Sequence, residues 1–369
     1  MLIEQSRSPK PYNRQKLILS LTSAVLSAAF LIVLLATGLS SAARDVAIRV
    51  SPNPYGALLI YAAVIGLTET LLFLPLSFYR GYILEHRYEL SNQTLGRWAI
   101  ESGKGMLVGI ALFTPLLVVF YGLLRQFGDG WWLPVGAVIF GLSVLLAQIA
   151  PVLLLPIFYK LTPLDDPALD ASLRRLAERV GLRIEGLYQI DMSKNTKKAN
   201  AALAGIGKTR RILLGDTLLA QCSQEEIEVV FAHELGHHQY HHIRTLILTG
   251  AVTTFAGLYL TSVGYRALLP RLGLDRLDDP AALPLLALLL MVFGLVTTPL
   301  QNALSRHYER QADGYALQTT GNRTAFIGAM TRLAETNLAD PEPHPLIEAL
   351  FYSHPSIGKR IRMAEGIGG

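Results

Sequence analysis

Long apolar runs separated by short polar stretches dominate the chain. Six runs reach the roughly 20 mostly apolar residues that a bilayer-crossing helix needs. They cover about 17–37, 55–78, 106–124, 133–158, 246–269 and 281–304. Only a turn around Gly128-Asp129-Gly130 separates the third from the fourth, which predicts an antiparallel pair. Trp131 and Trp132 stand where an interfacial aromatic anchor belongs. A loop rich in Asp, Pro and Arg joins the fifth and sixth, predicting a second hairpin.

The pattern changes after Lys160. Residues 166–181 place Leu169, Leu173, Leu176 and Val180 on one helical stripe, with Gly181 as a C-cap. Short strands are expected at 187–190 and 211–214, and a third at 201–203. A helix with a strong start follows, because Ser223 and Glu226 form a capping box.

Composition fits this division. The chain has 369 residues, 51% hydrophobic and only 17% charged, against about 25% charged in an average soluble domain. Formal net charge is +5. The basic residues flank apolar runs, which argues for membrane insertion and against a nucleic-acid partner. Counting them sets a topology. Arg7, Lys10, Arg14 and Lys16 precede the first run, and Arg80, Arg87, Arg97 and Lys104 follow the second. The alternate connections carry only Arg44 and Arg49, then Arg125. The N-terminus is therefore expected inside, and so are 160–245 and 305–369, where they can build one site together. The basic start and Ser41-Ala42-Ala43 imitate a secretory signal. The first apolar run exceeds the usual signal core of about 7–15 residues, so a retained anchor is expected.

Cys222 is the single cysteine. An intramolecular disulfide and a multi-Cys zinc site are both excluded, and any zinc must be held by His and carboxylate. The capped helix carries His233-Glu234-Leu235-Gly236-His237, an H-E-x-x-H motif. Residues four apart share a helix face, so both imidazoles can reach one ion while Glu234 faces the metal-bound water. Two core histidines are the plain alternative. A third ligand must lie on the same side of the membrane. Glu309 and Asp313 lie four apart after the sixth run, so one can ligate while the other orients a ligating His. His307 is the rival, pointing off that face. A solvated charged helix end explains the same residues.

These motifs resemble the integral-membrane CAAX prenyl protease (type I) family, itself similar to HtpX-like membrane metalloproteases. Beyond H-E-x-x-H, the resemblance rests on Ser305-Arg306 with Glu309-Arg310-Gln311-Ala312-Asp313. It extends to Phe158–Leu164, Lys208–Leu219, Tyr352-Ser353-His354-Pro355 with Arg360-Ile361, and Glu85–Gly96. It implies one Zn²⁺ held by His233, His237 and Glu309, with Asp313 behind a ligand and Glu234 as general base. It further implies His354 as an oxyanion stabiliser, Arg360 as a substrate contact, and Asn200-Ala201 as the strand that pairs with the substrate backbone. Ala202 and Leu203 replace the family's aromatic residues there, and six spans replace the seven of eukaryotic members.

The expected fold is mainly α: a polytopic membrane helix bundle of about six spans with a cytoplasmic-facing zincin-type α+β catalytic domain. Four spans occupy 1–160, the zinc helix 161–244, a membrane hairpin 245–304, and the third-ligand segment 305–369. The expected activity is zinc endopeptidase cleavage of a peptide or protein, lipidated or membrane-embedded. The multi-pass chain would lie in the bilayer, in the inner membrane if bacterial. The alternatives are an HtpX-like quality-control protease and a non-enzymatic membrane protein with structural zinc, though a structural site needs no base at position 234. Two features stay open. His238, His241 and His242 either cap the helix at the lipid interface or hold a second metal. Glu69, inside an apolar run, either lines a watery chamber or hydrogen-bonds Thr68 or Thr70.

Overall fold

The computed structural model describes residues 8–204 and 210–366, so Arg7 and Lys208 lie outside the described residues. Helix α1 spans Pro9–Ala36, the amphipathic α2 Leu39–Val50, α3 Pro54–Phe78, α4 Leu95–Phe127 and α5 Trp132–Ile149. Among the described residues six helical stretches are long and apolar enough to cross a bilayer: Pro9–Ala36, Pro54–Arg87, Leu95–Gly130, Trp132–Phe158, His242–Leu272 and Pro280–Thr320. These are the six expected runs, each extended. The extra turns are polar yet helical, and two of the starts are capped outside the apolar band. Asn53 accepts from the Tyr55 and Gly56 amides, with Pro54 in the first turn, and Thr94 accepts from Arg97 N.

After the fourth span come β1 (Leu161–Pro163), α6 (Pro167–Glu178), β2 (Gly186–Ile190), β3 (Ala201–Ala204) and β4 (Arg211–Gly215). Asp166 caps α6. Gly181, at φ +66°, closes it with amide bonds from Gly181 to Glu178 O and from Leu182 to Ala177 O, the Schellman pattern. The sheet order is β1-β2-β4-β3. β2 and β4 run parallel, while β1 and β3 are antiparallel to their neighbours. β1, three residues long, had no pattern to reveal it.

Helix α7 (Gln224–Gln239) packs across the sheet. Leu173 of α6, Ile212 and Leu214 of β4, and Phe231 and Leu235 of α7 form one buried cluster. The turn at His241, φ +57°, leads into α8 (His242–Leu268). Helix α9 then runs unbroken over Leu283–Thr320, leaving the membrane band to lie against α7. Where they cross, a Cβ on Gly236 would stand 2.8 Å from Ala312 Cα, so only glycine permits the approach. The chain ends with α10 (Arg323–Asn337), α11 (Pro345–Phe351) and α12 (Ile357–Glu365).

Candidate metal centre and active site

The capping box forms in full: Ser223 accepts from Glu226 N, and Glu226 accepts from Ser223 N. It fixes the start of α7 and hence the phase of its two histidines. His233 Nε2 lies 3.1 Å from His237 Nε2. Glu309 comes from α9, bringing Oε2 to 3.3 Å from His233 Nε2 and Oε1 to 3.4 Å from His237 Nε2. Two imidazole nitrogens and the Glu309 carboxylate, from two helices, thus form a triangle with sides of 3.1, 3.3 and 3.4 Å, the last two measured to different carboxylate oxygens. A tetrahedral ion with bonds of about 2.0–2.1 Å requires donor separations of about 3.3 Å, and each of the three contacts lies near that length. Glu309 Oε2 is buried and accepts no hydrogen bond of good geometry, and a cation would satisfy it. Burial alone would lower the His233 pKa, yet its bonds to Asp313 and Glu309 hold it at about 9. The surroundings therefore favour positive charge at this ring, which a bound cation supplies.

Asp313 is fully buried, with Oδ1 2.8 Å from His233 Nδ1. Behind it, Arg360 donates from Nε to Oδ2 at 2.8 Å and from Nη2 to Oδ1 at 2.5 Å. Arg360, expected at the substrate, is itself buried and spends these bonds on Asp313. His237 meets a different partner. Its Nδ1 lies 3.0 Å from His242 Nδ1, and His242 Nε2 lies 2.9 Å from Gln311 Oε1. His242 is buried and Tyr308 stacks on it, with centroids 4.2 Å apart. Capping and lipid contact, one expectation for this histidine cluster, do not describe His242. His307 stays out of the triangle.

Glu234 is half-buried and makes no hydrogen bond among the described residues, leaving its carboxylate free for a proton. His354 approaches from the C-terminal segment, exposed, with Nδ1 2.8 Å from Glu309 Oε2. Arg306 holds that segment by donating to the carbonyls of Glu348 and Tyr352 at 3.0 and 2.5 Å. Sequence reasoning found Arg306 as part of a motif but gave it no task. Asn200 precedes and Ala201 begins the edge strand β3: Asn200 O accepts from Gly215 N, and Ala201 is in register with Leu214. The other edge of β3 pairs with no described strand. A cavity of about 730 Å³ opens beside His354 and Arg360, walled by α1 at Asn13, Arg14 and Leu17. Glu69 is exposed on α3. Thr68 and Thr70 bond to the carbonyls of Val64 and Gly66 instead of to it.

Known proteins resemble this chain. Residues 163–367 match peptidase family M48, and residues 4–160 match the family described as CAAX prenyl protease N-terminal, five membrane helices. An uncharacterised metalloprotease of Bacillus subtilis, YhfN, is 32% identical over 90% of this chain and 79% of its own. CAAX prenyl protease 1 of Saccharomyces cerevisiae is 30% identical over 82% of this chain and 71% of its own. The crystal structure of S. mikatae Ste24p superposes with a TM-score of 0.87 at 26% identity, covering 97% of this chain and 88% of that one. With its six long apolar helices and its His-His-Glu triangle, the chain belongs to peptidase family M48, as a multi-pass membrane metalloprotease of the CAAX prenyl protease family.

Proposed function

We propose that the metal is zinc, held by His233, His237 and Glu309, and that Glu234 is the general base of peptide hydrolysis at a site facing the cytoplasm. Two neutral imidazoles and a carboxylate are a hydrolytic zinc donor set that leaves one position open. The single observation carrying this reading is the set of 3.1–3.4 Å contacts among His233, His237 and the two oxygens of Glu309, with Glu234 on the helix of the histidines and without a hydrogen bond among the described residues.

Bound zinc would polarise both the attacking water and the scissile carbonyl. Glu234 takes the proton of that water and returns it to the leaving amine. His354, free at its exposed side, donates a hydrogen bond to the oxyanion of the tetrahedral adduct. Asp313 holds the His233 ring by its Nδ1 proton, and Arg360 fixes Asp313. The open edge of β3 from Asn200-Ala201 takes the substrate backbone as an added strand. The neighbouring cavity receives side chains of the peptide, and lipidated or membrane-embedded substrates reach the site along the bilayer. Residues 1–160 and 245–304 serve as membrane anchor, while 161–244 and 305–369 make the catalytic unit. Excess basic residues on alternate connections support the cytoplasmic side.

The test uses protein purified in detergent, offered a farnesylated CAAX peptide and unmodified casein. Wild type should carry about one zinc per chain and cleave one of them, a three-ligand open site being the catalytic type. Glu234→Gln should keep the metal and lose at least about 10²-fold in kcat. A loss below tenfold with zinc retained would sink Glu234 as the base. The substrate cut separates a CAAX-type role from general quality control.

A further inference from the structure

We propose that His242 is a positioning residue of the metal centre: it accepts a hydrogen bond from His237 Nδ1 and so leaves His237 Nε2 free to bind the ion. This rests on His237 being a ligand, as read above.

Proton counting fixes the direction of this bond. Gln311 Oε1 can only accept, so His242 Nε2, 2.9 Å away, must carry the hydrogen. A neutral imidazole has one N–H, which makes His242 Nδ1 a bare lone pair. That atom lies 3.0 Å from His237 Nδ1, so His237 donates through Nδ1. Its own lone pair is then at Nε2, the atom that lies 3.1 Å from His233 Nε2 and 3.4 Å from Glu309 Oε1. A chain of three side chains ends with the correct tautomer facing the ion. Asp313 does the same for His233. The two ligands are therefore oriented differently, one by a carboxylate and one by a neutral imidazole.

The surroundings hold His242 for this task. The left-handed turn at His241, φ +57°, folds the start of α8 back against α7. A non-glycine residue there is uncommon and persists only where the surroundings over-determine it. Tyr308 stacks on one face of the His242 ring, 17° from parallel. Tyr308 and Gln311 both sit on α9, within two residues of Glu309. The helix that supplies the third ligand thus also grips the residue orienting the second.

The experiment compares full-length wild type, His242→Leu, His242→Asn, Gln311→Leu and Glu309→Ala in detergent. Zinc affinity is measured by chelator competition, the visible spectrum is recorded after cobalt substitution, and kcat and KM are taken at saturating zinc. His242→Leu should weaken zinc binding about 10- to 100-fold, the usual effect of losing an outer partner, and shift the cobalt bands. His242→Asn places an acceptor oxygen near the lost Nδ1 and should recover most of the affinity, a rescue that mere space-filling does not produce. Wild-type affinity and cobalt spectrum in His242→Leu overturn the proposal. If that variant fails to fold, Gln311→Leu decides: weaker zinc and shifted bands support the chain, unchanged values overturn it. Should Glu309→Ala bind zinc as tightly as wild type, the metal-site reading itself falls, and the role of His242 with it.

Discussion

Gly236 of α7 faces Ala312 of α9 so closely that a Cβ on the glycine would lie 2.8 Å from Ala312 Cα and 3.1 Å from its carbonyl oxygen. His237 and Asp313 are the next residues on the two helices. Gly236→Ala must therefore push apart the helices that carry the ligands. The expected cost is about 1–3 kcal/mol, as for overpacking generally, together with weaker metal binding. Thermal unfolding and zinc titration of the variant check both.

Removing the metal should abolish cleavage, and added zinc should restore it. Glu309→Ala should resist that restoration at zinc levels that saturate wild type, because one corner of the triangle is gone. Zinc content after dialysis against a chelator, measured beside peptide cleavage, tests this.

Arg360 and Asp313 form a buried charged pair, so taking away one member strands the other. Arg360→Met should cost about 3–5 kcal/mol, the usual penalty for breaking such a pair. It should also lower zinc affinity, since Asp313 loses its hold. A zinc affinity equal to wild type would restrict Arg360 to a purely structural part.

His354→Ala should retain zinc, because His354 is not a corner of the triangle. Loss of one oxyanion donor typically lowers kcat about 10²–10³-fold, with KM little altered. Steady-state kinetics on a zinc-loaded sample separates this from metal loss.

The proposed cytoplasmic orientation predicts that green fluorescent protein fused after Gly369 is fluorescent, and that alkaline phosphatase fused there is inactive. The reverse pair of results would invert the topology.

Much of this was legible because it is local. Apolar runs marked the six spans, Ser223 and Glu226 marked the start of α7, and Asp166 and Gly181 bracketed α6. Span ends were not legible, since polar turns such as those near Arg87 and Thr320 are helical by continuation and carry no hydropathy signal. In the candidate site, H-E-x-x-H and the i, i+4 pair Glu309 and Asp313 stood out by spacing. The pairing of Arg360 with Asp313 spans 47 residues and leaves no periodic trace. His242 was hidden by the turn before it. Only the left-handed His241 returns its ring to His237, and no helical count predicts that.

Helix α9 crosses the bilayer and carries Glu309 without a break over 38 residues, about 57 Å at 1.5 Å per residue. An unbroken helix does not telescope. Its apolar segment is held at bilayer depth, so Glu309 stays at a set height relative to the lipid. The membrane surface and the metal then act as the two marks of a gauge. On the proposed reading, a substrate tethered in the bilayer would be cut at a distance from its anchor that this helix measures out.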